Sequence, residues 1–157
     1  MSIHEPSDSP WTSRMLSIFR IVAGVIFFSS GTMKIFGFPE NPMPNMPPIE
    51  LWSQIGIGGM LEIVCGLAII VGLYTRPVSF LMAGMMAVAY FQFHQPQAFW
   101  PTNNGGVAAV MYCFFFLYLM FAGAGAWSLD AIIARRARGG AHAGRPAHEP
   151  EMRTARA

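Results

Sequence analysis

Four long apolar stretches constrain this chain more than any other feature of its sequence. They cover approximately residues 15–37, 51–74, 78–93 and 107–127, and a bilayer needs about 20 mainly apolar residues for each helix that crosses it. Only 11% of the 157 residues are charged, against roughly 25% in ordinary soluble domains. The sequence therefore predicts four membrane-spanning helices, of which the third reaches full length only if it continues to His94 and Gln95.

Other architectures fit this pattern poorly. A soluble four-helix bundle carries polar residues on the outward face of each helix, but these stretches are apolar on every face. Strands of a membrane barrel alternate polar and apolar residues, and the segment YCFFFLYLMF at 112–121 does not alternate. We therefore predict an all-α integral membrane protein, built as a four-helix bundle.

The basic residues predict the orientation of this bundle, because positively charged loops stay on the cytoplasmic side. With four spans and both termini in the cytoplasm, only Lys34 falls on the outer side. The arginines then lie at or toward the cytoplasm: Arg14, Arg20, Arg76, Arg135, Arg136, Arg138, Arg145, Arg153 and Arg156. The net charge of +2 follows from this topology, so it gives no reason to expect nucleic acid as a partner.

The composition along the chain predicts one membrane domain between two polar segments. Residues 1–13 form a cytoplasmic N-terminal segment, residues 14–133 the membrane domain, and residues 134–157 a tail that is expected to be disordered because it lacks apolar residues to bury. The first outer loop has five prolines between positions 39 and 48, which predicts an extended backbone. Ser128 and Asp130 suit the start of a short surface helix to Arg138, whose arginines are expected to contact anionic lipid headgroups.

One carboxylate, Glu62, lies near the centre of the apolar run GGMLEIVCGLAIIVGL at 58–73. A charge at mid-membrane costs at least about 2.5–3.5 kcal/mol on insertion scales. Helical spacing places Arg20 and Lys34 on one face of the first span, each within side-chain reach of Glu62 along the axis. We therefore expect Glu62 either to pair with one of these two cations or to be protonated.

Glycine and alanine accompany the ionisable residues on the predicted inner faces, and small residues let membrane helices approach closely. We therefore expect the first three spans to pack together, with the ionisable groups gathered inside. The faces are Arg20, Gly24, Phe27, Gly31 and Lys34 on the first span; Ile55, Gly59, Glu62, Gly66 and Ile69 on the second; and Ala83, Ala87, Tyr90 and His94 on the third.

Two interpretations of these polar residues remain open. In the functional one, Glu62 and His94 exchange protons with a ligand that is bound by Arg20, Lys34, Glu62, Tyr90 and His94, because ionisable residues inside a membrane are functional candidates by default. In the structural one, a single buried ion pair fixes the register of two helices, His94 is hydrogen-bonded to water at the interface, and Tyr90 belongs to the aromatic belt.

The sequence favours neither a metal site nor an intrinsic cofactor. One histidine and one glutamate from different spans fall short of the three or four ligands that a metal needs, and His94 is alone within the spans as an axial ligand for haem. Phosphate-binding loops, nucleophile elbows and dinucleotide fingerprints are also missing from the sequence.

Residues 14–133 resemble the DoxX family of small four-span bacterial membrane proteins. The resemblance rests on an ordered series of motifs rather than on any single one. The motifs are RIVAGVIFFSSGTMKIFG at 20–37, LEIVCGLAIIVGLYTRP at 61–77, HQPQAFW at 94–100, NNGG at 103–106 and GAGAWSLDAII at 123–133.

The resemblance implies a multi-pass protein of the bacterial inner membrane. Members of the family are associated with terminal quinol oxidase and thiosulfate:quinone oxidoreductase, and others are similar to proteins of oxidative-stress or thiol-linked membrane complexes. It therefore implies a small subunit of a redox system that binds a quinone-like or other small apolar molecule among spans one to three, with a redox protein as partner. Whether the chain is itself an enzyme stays open; as one, it would be an accessory membrane subunit of a quinone-linked oxidoreductase.

Two alternatives belong to other classes of protein. The first is a transporter of a small solute or of protons, which with only four spans would work as a homo-oligomer around a path. The second is a membrane assembly or scaffold protein whose ion pair is purely structural. Flux into proteoliposomes without any redox partner would distinguish the transporter, and a stable partner complex would distinguish the scaffold.

Overall fold

The computed structural model of the protein describes residues 10–40 and 49–143, and this part of the chain is all-helical, as the sequence predicts. Its elements are α1 (Pro10–Phe36), α2 (Gln54–Val71), α3 (Thr75–Ala89), a π-helical turn that continues α3 (Tyr90–His94), α4 (Val107–Ala122) and α5 (Leu129–Ala143).

Two of these helices, α1 and α2, are long and apolar enough to cross a membrane by length and composition. The shorter α4 is also apolar. The third apolar run continues as helix to His94, as a full-length span requires, because the π-helical turn extends α3 by five residues. The fold is therefore consistent with a helical membrane bundle.

Local signals in the sequence explain where the helices begin and end. Pro10 is the first residue of α1, a position where the missing proline amide costs nothing. The Ser53 hydroxyl caps α2 by accepting a hydrogen bond from the Gly56 amide at 3.1 Å. Gly72 ends α2 with φ 69°, a left-handed conformation that glycine adopts without strain. Ser128 caps α5 as predicted, since its hydroxyl accepts from the Ala131 amide at 3.1 Å.

The helices pack mainly as two pairs, α1 against α2 and α3 against α4, with fewer contacts between α2 and α3. The expectation that the first three spans pack together is therefore wrong in detail, because α4 is the main neighbour of α3. Side chains of all four helices meet in one apolar core, formed by Phe27, Cys65, Ile69, Met82, Ala83, Met86, Phe116 and Leu119.

The predicted inner faces are confirmed on α1 and need correction on α2 and α3. Ile55 is 40% exposed rather than buried, because the buried face of α2 begins at Gly56. On α3, Ala87 and Tyr90 are only half-buried. The buried residues of α3 are Thr75, Ser79, Met82, Ala83 and Met86.

The described ranges also limit or correct three predictions about the ends and the first outer loop. Helix α1 begins at Pro10, inside the segment 1–13, and α5 continues to Ala143, so residues 134–143 are helical rather than disordered. The remaining tail from residue 144, residues 1–9, and positions 41–48 of the proline-rich loop lie outside the described residues.

Candidate functional site

An ion pair joins the first two helices. Lys34, in the last turn of α1, donates hydrogen bonds from Nζ to both carboxylate oxygens of Glu62, at 2.6 Å and 2.7 Å. The Glu62 side chain is 5% exposed and the Lys34 side chain 27% exposed. The expected pairing of Glu62 with a cation is confirmed, and the partner is Lys34.

Glycines position this pair by letting the backbones of α1 and α2 approach closely. A Cβ added at Gly31 would lie 2.7 Å from the Gly59 carbonyl oxygen, and one added at Gly66 would lie 2.8 Å from the Phe28 amide nitrogen. Gly59 lies against the Cβ of Lys34 and precedes Glu62 by three residues, on the same face of α2. The backbone contact therefore brings the lysine and the carboxylate within hydrogen-bond distance.

Of the two side chains in this pair, only Lys34 has a hydrogen-bonding group left for a ligand. The Glu62 carboxylate is buried and both of its oxygens accept from Lys34, so its charge is neutralised where an unpaired charge would be costly. The Lys34 ammonium has three donor hydrogens, of which the carboxylate engages two. Lys34, the more exposed member of the pair, therefore has the donor that remains for a bound molecule.

Arg20 is buried inside the bundle, as expected for the ionisable groups, but it lies apart from this pair and donates to backbone carbonyls instead of Glu62. Its guanidinium is fully buried and donates to four backbone carbonyls. Nε donates to Ala124 at 2.8 Å and Nη2 to Trp127 at 2.6 Å. Nη1 donates to Ile70 at 2.8 Å and also to Ile69.

These four bonds give Arg20 a structural role. Ile69 and Ile70 belong to the last turn of α2, where the helix dipole favours a cation, and the Ile69 carbonyl also accepts from the Gly72 amide at 3.2 Å. Residues 124 and 127 lie in the turn between α4 and α5. Arg20 therefore ties three parts of the chain together, and its buried donors are not available to a ligand.

Tyr90 and His94 lie together at the far end of α3. Their rings stack with centroids 6.5 Å apart, and both side chains form hydrogen bonds to the loop that leads to α4. The Tyr90 hydroxyl donates to the Phe99 carbonyl at 2.6 Å, and His94 donates from Nδ1 to the Asn104 carbonyl at 3.0 Å. In the described part of the chain, neither residue has a hydrogen bond to Glu62.

Asn104 and Asp130 organise the two ends of the bundle, and the sequence predicted neither of these contacts. Asn104 is buried, donates to the Ala98 carbonyl at 2.7 Å, and accepts from the Gly106 amide at 2.7 Å. Its position within the turn-forming sequence NNGG at 103–106 was the local signal for this role. Asp130 accepts from the Tyr74 and Thr75 amides at 2.9 Å each, so it caps α3 rather than the helix to which it belongs.

Metal binding has no evident site in residues 10–40 and 49–143, which contain no group of three or more histidine, cysteine, aspartate or glutamate side chains arranged to hold an ion.

Comparison with known proteins agrees with this architecture. The family model described as DoxX matches residues 15–95, a range that includes Arg20, Lys34, Glu62, Tyr90 and His94. An uncharacterized protein of Haemophilus influenzae is 36% identical over 118 residues, which are 73% of this chain and 87% of that protein. An uncharacterized membrane protein of Mycobacterium tuberculosis is 27% identical over 134 residues, covering 75% of this chain and 80% of that protein. No solved structure matches the chain significantly.

Proposed function

Because the chain belongs to the DoxX family of membrane proteins, we propose that it is a small inner-membrane subunit of a bacterial redox system. In this proposal the subunit binds a quinone-like or other small apolar molecule beside the Lys34–Glu62 pair. Electrons come from a partner protein, and this chain supplies binding and a proton.

The proposal includes four spans with both termini in the cytoplasm. Together α3 and its π-helical turn comprise 20 residues, which corresponds to about 30 Å of rise, the thickness of a bilayer's hydrocarbon core. Large apolar side chains on α4 point outward, among them Phe114 and Phe121, which are 67% and 73% exposed. Lipid would cover this surface, which would otherwise be costly in water.

The arrangement of charges supports the same orientation. Arg20 contacts the end of α2 and the turn between α4 and α5, so these parts of the chain lie at one end of the bundle. Arg76 follows α2 at this end, and the arginines of α5 follow the turn. Lys34 lies 14 residues further along α1, toward the opposite end.

The observation that carries the ligand proposal is the partly exposed side chain of Lys34, whose ammonium keeps one donor hydrogen beyond the two that Glu62 engages. A quinone accepts hydrogen bonds at its carbonyl oxygens and gains negative charge as it is reduced. A preorganised cation in apolar surroundings stabilises such charge more strongly than water does. Lys34 would donate to the ligand oxygen, and Glu62 would hold the ammonium in place.

After Lys34 has given a proton to the ligand, its neutral amine would take a proton from water, and the Glu62 carboxylate would stabilise the ammonium that forms again. His94 and Tyr90 remain a second proposed contact at the outer end of α3. With Nδ1 bound to Asn104, the His94 ring has Nε2 left for a ligand. The geometry supports the ion pair more strongly, because its members already contact each other inside the helix pair.

The test uses full-length protein purified in mild detergent. Native mass spectrometry detects quinone that co-purifies, and added ubiquinone or menaquinone analogues are titrated against Lys34→Met and Glu62→Gln. The matched controls are Arg138→Met and Glu50→Gln, which change exposed residues that do not belong to the pair. We expect weaker binding for the first two variants alone. Unchanged quinone binding in both would refute the ligand site.

A second candidate function, a membrane scaffold with a structural ion pair, is favoured by one observation. Both oxygens of Glu62 are engaged by one lysine, and such a pair fixes the register of α1 on α2 without any ligand. In that case Glu62→Gln lowers thermal stability in detergent and leaves quinone binding as it was, and mild extraction yields a stable complex with a partner protein.

A further inference from the structure

A cavity of about 430 Å³ lies at the end of the bundle opposite Lys34. It is open to the surface and is lined by the first residues of α3, the turn that follows α4, and the start of α5. Its lining includes Tyr74, Thr75, Arg76, Gly123 and Asp130. The cavity is distinct from the Lys34–Glu62 pair, and no role has been assigned to it so far.

Arg76 provides a cation without a partner in this cavity. Its side chain is exposed and makes no hydrogen bond or ion pair with any other described residue. The guanidinium lies over the turn after α4, where Nε and Nη2 are 3.8 Å and 3.9 Å from the position of a Cβ at Gly123. A guanidinium with free donors is suited to bind the oxygens of a phosphate in pairs.

Thr75 provides a second unused polar group. It lines the cavity, its side chain is fully buried, and its hydroxyl oxygen has no hydrogen-bond partner. A buried hydroxyl without a partner costs free energy. The backbone amide of Arg76, in the first turn of α3, also has no partner within the helix. The beginning of α3 therefore combines a free cation with neutral donors.

The other charges around the cavity favour an anion over a cation. Asp130 is its one acidic residue, and both of its carboxylate oxygens already accept backbone amides of Tyr74 and Thr75. Arg20 lies behind the same turn, since it donates to the carbonyl of Ala124. Two arginines against one engaged carboxylate leave a positive charge at the cavity.

We propose that this cavity binds the phosphate of an anionic phospholipid headgroup from the cytoplasmic leaflet. Arg76 binds the phosphate oxygens, and Thr75 adds a hydroxyl donor. The aromatic ring of Tyr74, which is 70% exposed, lies beside the headgroup region where tyrosine is commonly found. The proposal rests on the membrane location and is independent of any quinone, so it survives if the Lys34–Glu62 site binds nothing.

The test is native mass spectrometry of full-length, delipidated protein titrated separately with phosphatidylglycerol, phosphatidylcholine and inorganic phosphate. The variants are Arg76→Gln and Thr75→Val, and the matched control is Arg138→Gln, which removes an exposed arginine of α5 that does not line the cavity. Arg76 is exposed and makes no contact that the fold needs, so its variant should melt at the wild-type temperature, as circular dichroism can verify.

We expect phosphatidylglycerol to bind wild-type protein and Arg138→Gln alike, and Arg76→Gln about tenfold more weakly, in line with the loss of a charged hydrogen bond. Thr75→Val should weaken binding less, and phosphatidylcholine and inorganic phosphate should both bind more weakly than phosphatidylglycerol. Equal losses of phosphatidylglycerol binding in Arg76→Gln and Arg138→Gln would overturn the proposal, because they would indicate that the lipid binds to diffuse surface charge rather than to the cavity. Inorganic phosphate binding as tightly as the lipid would also overturn it.

Discussion

Gly31 of α1 and Gly59 of α2 lie so close that a Cβ at Gly31 would come within 2.7 Å of the Gly59 carbonyl oxygen. We expect Gly31→Ala to destabilise the protein by about 1–3 kcal/mol, because backbone atoms cannot move away as a flexible side chain can. Thermal unfolding in detergent, followed by circular dichroism, measures this loss.

Gly58 is the matched control for that substitution, since a Cβ there would meet no atom within 4 Å. Gly58→Ala should leave stability unchanged or raise it by up to about 1 kcal/mol, because alanine is the better helix former. A Gly31→Ala variant as stable as Gly58→Ala would show that the close helix contact is absent in the membrane protein.

Arg20 should be the most sensitive cation to replace. Arg20→Met leaves four backbone carbonyls without their donor and should cost about 3 kcal/mol or more. Arg20→Lys should recover only part of this loss, because one ammonium cannot reach all four carbonyls. Arg14→Met changes an exposed arginine of the same helix and should melt near the wild-type temperature; an equal loss in that control would argue against the clamp.

The Lys34–Glu62 pair should behave as an energetic unit. Glu62→Gln alone removes the partner of a partly buried ammonium, with an expected cost of about 2 kcal/mol, reduced by the exposure of Lys34. The double variant Lys34→Met, Glu62→Gln should be less destabilised than the sum of the two single variants. Additive losses in this cycle would mean that the two side chains do not interact.

Asp130 should contribute to the stability of α3 although it belongs to α5. Asp130→Ala leaves the amides of Tyr74 and Thr75 without an acceptor and should cost about 1 kcal/mol. Unfolding in detergent measures the loss, with Glu50→Gln as an exposed control. If Asp130→Ala lost no stability, water would satisfy the Tyr74 and Thr75 amides as well as Asp130 does.

The proposed topology predicts opposite labelling of the two ends of the bundle. In a background without Cys65 and Cys113, Trp100→Cys should react with a membrane-impermeant maleimide on intact spheroplasts. Arg138→Cys should react only after the membrane is made permeable. Labelling of position 138 on intact cells would contradict the placement of α5 in the cytoplasm.

Helical periodicity alone was enough to predict the contact face of α1. Arg20, Gly24, Phe27 and Gly31 follow one regular repeat and are all buried. On α3, where the face is counted back from His94, the same periodicity is correct for Ala83, which is buried, whereas Ala87 and Tyr90 are only half-buried. The π-helical turn at Tyr90–His94 takes more residues per turn than an α-helix, so positions before it are rotated relative to that count.

The partners of Lys34 and Arg20 differed in how well they could be predicted from the sequence. Glu62 is the only charged acceptor within α2, so an ion pair with Lys34 or Arg20 follows from sequence. The acceptors of Arg20 are backbone carbonyls, which every residue has and no sequence pattern marks. Two of them lie 104 and 107 residues away, and only the folded path of the chain brings them near.

The hydrogen bonds of Arg20 to residues 124 and 127 have a consequence for biosynthesis. A membrane chain is made from its N-terminus, so α1 enters the bilayer before the turn after α4 has left the ribosome. Until then the guanidinium has at most the carbonyls of Ile69 and Ile70 to bind, and its remaining donors must stay hydrated. The hydrogen bonds that surround this arginine are therefore completed late in assembly. In a chain truncated before residue 124, the end of the bundle at Arg20 would stay open and hydrated.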